Sequence, residues 1–169
     1  MKFHHQETGR CLMCDINETE LEFVERVIAE NEHFIAYIPF FTDFPYGVFI
    51  ASKAHRPSLL EMKAEERRAL AKMLRRVVGA FDRLFQKPFP YMMVLHQQPV
   101  DGEPYDDYFH FHIEFYPPLR AADKLKFYAS SEIGAWATAN PRRVEETAEE
   151  LRRAYRAFLR ELGEQPEKA

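Results

Sequence analysis

Tyr108-Phe109-His110-Phe111-His112-Ile113-Glu114-Phe115-Tyr116 alternates without a break between apolar and polar side chains. A period of two marks a β-strand with one face against a core. Phe109, Phe111, Ile113 and Phe115 then point one way. His110, His112 and Glu114 point the other, about 7 Å between alternate positions. Two imidazoles and a carboxylate in register make a row of donor groups, not the Thr, Lys and Ser mixture of a wet face. The strand ends at Pro117-Pro118, which cannot continue a ladder.

Working outward, Tyr91 to His96 reads as another strand, joined to the first by a turn-like stretch, Gln97 to Asp107. Before them, Leu70, Met73, Leu74, Val77, Val78, Phe81, Leu84 and Phe85 recur at helical spacing and predict a long helix over 57–86. Pro57-Ser58 suits its start and Lys87-Pro88 its end. Arg26 to Glu30 and His33 to Ile38, joined at Asn31-Glu32, read as a β-hairpin, and Val48 to Ser52 as a third strand. Pro39 and Pro45 bracket an aromatic loop. Residues 17–25 suit a short helix or a turn. Residues 120–142 read as irregular, with a short strand near Lys124 to Tyr128. An amphipathic helix follows over 143–162. The sum is an α+β domain over 11–162: an antiparallel sheet, one long helix and a carboxy-terminal helix. Residues 1–10 read as a flexible leader, with His4 and His5 in it, and 163–169 as a frayed tail. His33 is expected at the surface, and Trp136 in core or interface packing.

The chain has 169 residues, 46% hydrophobic and 30% charged, which suits one soluble globular domain. Fifteen Phe and eight Tyr promise a core of large rings. A net charge of -4 offers no basic field for a nucleic-acid backbone. No apolar run is long enough to span a bilayer, and no signal peptide opens the chain, so a cytoplasmic location is expected.

Cys11 and Cys14 have the two-residue spacing that lets two thiolates reach one metal ion; a redox pair is the other reading. Histidines are the natural source of two further ligands. His55, just after the third strand, and His110 would complete a closed Cys11–Cys14–His55–His110 tetrahedron. Four protein ligands leave no open position, so the ion, zinc, would be structural.

Cys-x-x-Cys, then Lys53-Ala54-His55, then the His-x-His strand is the motif order of the histidine-triad superfamily. His96-Gln97-Gln98-Pro99 and His110-Phe111-His112-Ile113-Glu114-Phe115-Tyr116-Pro117-Pro118-Leu119-Arg120 together resemble the carboxy-terminal half of galactose-1-phosphate uridylyltransferases. Glu30-Asn31-Glu32-His33-Phe34 adds to the likeness, which covers about residues 10–160. It implies a histidine-triad-like fold and nucleotidyl transfer between a UDP-hexose and a hexose 1-phosphate. In that family the nucleophile lies in the first half, on a His-Pro-His motif that this chain lacks. The resemblance therefore implies a homodimer or a complex with a separate amino-terminal half. Two other readings are an independent histidine-triad hydrolase or transferase and a non-catalytic nucleotide-sugar-binding module.

By motif position, His112 aligns with the superfamily's nucleophile. Glu114 is a departure, because an ionised carboxylate cannot donate to a phosphate and would repel it by about 1 to 4 kcal/mol. The family likeness offers another role: His96, His110 and His112, with a carboxylate, resemble ligands of a second metal such as iron. Leu125-Lys126-Phe127-Tyr128-Ala129-Ser130-Ser131-Glu132 resembles the family's hexose-phosphate loop. Lys126 would meet the phosphate and Glu132 the sugar hydroxyls, with His96, Gln97, Arg120 and Phe127 as further substrate contacts.

Overall fold

The computed structural model describes residues 1–166. Its strands are β1 (Val27–Glu30), β2 (Phe34–Tyr37), β3 (Phe49–Ser52), β4 (Met92–His96), β5 (His112–Tyr116), β6 (Leu119–Ala121) and β7 (Lys124–Leu125). Its α-helices are α1 (Lys2–Thr8), α2 (Leu12–Phe23), α3 (Ala64–Leu84), α4 (Ser131–Gly134) and α5 (Val144–Glu161). The first five strands form one antiparallel sheet in the order β1-β2-β3-β5-β4; β6 and β7 form a small hairpin. The expected α+β architecture is therefore present.

The β1–β2 turn is built by Asn31. Its Oδ1 accepts from the backbone N–H groups of His33 (3.0 Å) and Phe34 (2.8 Å), and its Nδ2 donates to Ala69 O (3.1 Å) on α3. One buried side chain thus closes the hairpin and ties it to the long helix. The main core lies between the sheet and the α3–α5 pair: Ile113 and Phe115 meet Leu70, Met73, Val77 and Phe81 of α3 and Leu151 and Tyr155 of α5. Phe81 stacks on Phe89 with ring centroids 5.1 Å apart and meets Phe115 edge-on at 5.4 Å. Gly79 lets the two helices touch, because a Cβ there would fall 2.2 Å from the Phe158 ring.

A second, smaller core lies on the opposite face, where Met13 and Cys11 pack on Ile35, Tyr37, Phe49 and Ala51. Strands β2 and β3 are consequently buried on both faces, which is why Phe-Ile-Ala-Tyr and Phe-Ile-Ala-Ser lack polar alternation. Strand β4 is the opposite case. It is a sheet edge, and Met92, Met93, Val94 and Leu95 stay exposed.

Several expectations are corrected. The leader is helical: α1 ends on Gly9 in the left-handed region, and His4 Nε2 lies 2.7 Å from Asp15 Oδ2. Residues 17–25 belong mostly to α2, which begins directly after Cys11. The long helix starts later than 57, after a short 3₁₀ turn at Leu59–Glu61. The alternating strand is shorter than its pattern: Tyr108 and Phe109 both donate backbone N–H groups to Tyr105 O, a turn, and only His112–Tyr116 is strand. The strand near Lys124 is the hairpin β6–β7. Trp136, expected in core or interface packing, is 89% exposed, which removes the core placement alone. The start of the tail is tied down: Glu164 N–H reaches back to Leu159 O, and its carboxylate pairs with Arg76 at 2.6 Å. Residues 167–169 of the expected tail lie outside the described residues.

Glu66 gives a testable pH dependence. Buried at the start of α3, it accepts from Lys63 N–H (2.7 Å) and Arg56 Nε (3.1 Å). Burial alone would raise its carboxyl, but the Lys63 amide and the Arg56 charge outweigh burial and hold it below its usual 4.5. A carboxyl held low in the fold stabilises above its unfolded pKa and loses that contribution as pH falls through the folded value. Glu66→Gln is expected to cost about 1.5 kcal/mol at pH 7. In urea unfolding the gap from the native chain should shrink below pH 4.5; a gap that widened in acid would contradict this assignment.

Candidate metal centre and adjoining pocket

Four donors converge at the start of α2. Cys11 caps the N-terminus of α2, Cys14 sits in its first turn, His55 follows β3, and His110 lies two residues before β5. Cys14 Sγ lies 3.5 Å from His55 Nδ1 and 3.4 Å from His110 Nδ1; Cys11 Sγ lies 3.6 Å from His110 Nδ1. In a tetrahedral zinc site with ordinary Zn–S and Zn–N bonds, a sulfur-to-nitrogen edge is about 3.6 Å. The far nitrogens agree with the same reading. His55 Nε2–H donates to Asp106 O (2.6 Å) and His110 Nε2–H donates to Ser52 O (2.8 Å). Each carbonyl fixes the proton on Nε2, so both Nδ1 lone pairs face the sulfurs, as ligation requires. The hydrogen bond from Cys14 draws the Cys11 thiol down despite its burial, and His110 adds to the effect. These residues fit a metal ion, and the expected quartet of Cys11, Cys14, His55 and His110 is together.

A second donor group lies one strand along. Register places His96 directly opposite His112, and the two rings stack with centroids 4.6 Å apart and planes 9° from parallel. Glu114 Oε1 stands 3.0 Å from His112 Nε2 and 3.5 Å from His96 Nε2. His112 Nδ1–H donates to His110 O (2.8 Å), so Nε2 is the nitrogen turned to the carboxylate. A proton or a cation must lie between such a lone pair and an anion. Burial would raise the Glu114 carboxyl; hydrogen bonds from His112 and Tyr116 outweigh it and hold the group below its ordinary range. His96 Nε2 is buried without a hydrogen-bond partner. Two imidazoles and a carboxylate with an orphaned nitrogen fit a harder cation than the thiolate site does. His110 takes no part, because both its nitrogens are used at the first site. His112 has neither nitrogen free, and its ring is sandwiched between Phe49 and His96.

Beyond Tyr116 a pocket of about 290 Å³ is lined by Arg120, Leu125, Lys126, Phe127, Glu132, Ala139 and Pro141. Lys126 is held at its base, its side chain 4% exposed. Its ammonium donates to Asp43 O, to Ala139 O (2.8 Å) and to Glu132 Oε1 (2.8 Å). All three protons are thus used within the chain. Phe44 and Tyr128 lie under the charge. Of the residues expected to meet substrate, Arg120, Lys126, Phe127 and Glu132 share this pocket, whereas His96 belongs to the second donor group. Gln97 is elsewhere: its Oε1 accepts from Leu59 N–H (3.1 Å), a structural contact with the turn before α3. Sequence reasoning overlooked Tyr116, whose hydroxyl donates to Glu114 Oε2. The signal was present, since the same alternation puts position 116 on the face of 112 and 114.

Over residues 1–162 the chain matches the family model described as galactose-1-phosphate uridyl transferase, C-terminal domain. The chain belongs to that family. The galactose-1-phosphate uridylyltransferase of Thermotoga maritima is 45% identical over 152 residues, covering 90% of this chain and 47% of the relative. A solved mutant uridylyltransferase superposes with a TM-score of 0.83 at 35% identity, covering 92% of this chain and 50% of the other. A zinc-bound histidine triad family protein from Mycobacterium smegmatis shares the fold at 21% identity and a TM-score of 0.60, covering 90% of this chain and 96% of that one. The chain therefore spans about half the length of the uridylyltransferases it matches. Among the described residues, no helix is long and apolar enough to cross a membrane.

Proposed function

We propose that this chain is the hexose-phosphate-binding half of a cytoplasmic uridylyltransferase acting on a UDP-hexose and a hexose 1-phosphate, as in galactose metabolism. The observation that carries the reading is the Lys126–Glu132 pair in a pocket bordered by Arg120, linked through Phe44 and Tyr116 to Glu114 of the His96–His112–Glu114 group. A sugar phosphate would exchange that internal pair for two contacts of its own: its phosphate to Lys126, and its hydroxyls to Glu132. Arg120 and Phe127 would line the entrance.

Zinc in the Cys11–Cys14–His55–His110 site would act as a staple, fixing the start of α2 and the segment before β5 to the segment after β3. A second cation such as iron would be held by His96, His112 and Glu114. When bound, it supplies positive charge close to the phosphate pocket. The two engaged nitrogens of His112 support placing the uridylyl-carrying nucleophile outside these 169 residues. Glu114 would then be a ligand rather than an acid or base. The apolar edge strand β4 supports assembly, either with an amino-terminal half domain or with a second copy.

Titration calorimetry and an exchange assay test this reading. The purified chain should bind galactose 1-phosphate but not exchange uridylyl groups between UDP-glucose and galactose 1-phosphate. Sustained exchange by the chain alone would move the nucleophile into this polypeptide, and loss of that exchange in His112→Ala would assign it to His112. UDP-sugar binding without turnover, even with an amino-terminal half supplied, would leave a binding module.

A further inference from the structure

We infer that Tyr116 is a positioning residue that aims the Glu114 carboxylate at the ion held with His96 and His112; this rests on the second-cation reading above. The strand geometry makes the assignment. Residues 112, 114 and 116 lie on one face of β5, so Glu114 has the imidazole on one side and the phenol on the other. Its two oxygens are divided between them. Oε1 faces His112 Nε2 at 3.0 Å and His96 Nε2 at 3.5 Å, while Oε2 accepts from the Tyr116 hydroxyl. A carboxylate on two methylenes turns easily about its last torsion. With one oxygen fixed by a phenol, the other is presented as a single lone-pair donor between the two imidazoles.

The phenol is itself held. Its ring meets Phe44 edge-on at 5.7 Å, and Phe44 meets Tyr128 at 5.9 Å. Phe44 also lies 5.4 Å from the Lys126 ammonium. The carboxylate's orientation is thus braced by the aromatic loop and by the segment after β7 that carries Lys126 and Tyr128. Outer hydrogen bonds of this kind change metal affinity by about 10- to 100-fold when removed.

Tyr116→Phe keeps the ring and its contact with Phe44 and deletes only the hydroxyl. The test is anaerobic titration of the full chain with Fe(II) and, separately, Co(II), in competition with a chelator. The thiolate-to-cobalt absorption band reports the Cys11–Cys14 site alone, so the second equivalent is read separately. The native chain should take up two equivalents. Tyr116→Phe should bind the second about 10-fold or more weakly, with the thiolate band and the unfolding midpoint of the apo chain unchanged. Glu114→Gln should lose the second equivalent. A Tyr116→Phe chain that binds both equivalents as tightly as the native one, while Glu114→Gln loses the second, overturns the positioning role and leaves the cation reading standing. A native chain that takes up only one equivalent overturns both.

Discussion

Replacing Cys14 by serine is expected to destabilise the metal-loaded chain by about 3 to 5 kcal/mol and to lower its thermal midpoint by about 10 °C. Three otherwise separate pieces meet at that site: the start of α2, the segment after β3 and the segment leading into β5. His110 is 0% exposed, and without an ion its Nδ1 would face two thiols instead of a cation. A neutral serine cannot supply the second thiolate, so the donor set falls to one sulfur and two imidazoles. The smaller core under α2 is the part that loosens, since Cys11 and Met13 belong to it. The main core against α3 and α5 should persist and keep the chain folded at room temperature. Calorimetric scans with and without a strong chelator check this. With chelator present the native chain should melt near the Cys14→Ser variant, and chelator should lower the variant's midpoint far less than the native chain's. A variant that melts with the metal-loaded native chain would mean that the quartet carries no stabilising ion.

Lys126→Met is expected to weaken galactose 1-phosphate binding about 100-fold, because a charge-assisted contact to phosphate contributes about 1.5 to 3 kcal/mol. Lys126 lies at the pocket base, and its three protons are committed to Asp43 O, Ala139 O and Glu132. Ligand binding must therefore open the Lys126–Glu132 pair, which makes the affinity depend on both members. Methionine keeps the stem that packs near Phe44 and Tyr128 and removes only the charge. Glu132→Gln separates the roles: it keeps a group that can bond sugar hydroxyls, and it should weaken galactose 1-phosphate less than Lys126→Met. Titration calorimetry on the two variants reads the difference. Equal affinity of Lys126→Met and the native chain would remove Lys126 from the phosphate site.

Much of the site was legible because strand alternation is a strict period. Ile113 and Phe115 enter the main core, and His112 and Glu114 share the other face, as the pattern requires. The same pattern overran its element at Tyr108 and Phe109. There the Tyr105 carbonyl takes both backbone N–H groups, a tertiary choice that side-chain polarity does not reveal. The Cys-x-x-Cys spacing gave the metal reading, but not that Cys11 would cap a helix. That helix is short, and its apolar face, Met13 and Ile16, is narrow. The stacking of His96 on His112 is a consequence of the β4–β5 register, which depends on a fifteen-residue connection with no short-turn signal. Gln97 looked like a ligand-binding side chain beside His96, but adjacent residues on a strand end point apart, and it caps the turn before α3 instead.

A metal ion at Cys11, Cys14, His55 and His110 would pin the segment before β5 to the start of α2. X-ray absorption at the metal edge of the purified chain, with total metal analysis, tests it most directly. The quartet predicts a site with two sulfurs at about 2.3 Å and two nitrogens at about 2.0 Å. A chain purified under reducing conditions that holds no metal, or holds one with only nitrogen and oxygen neighbours, would contradict it.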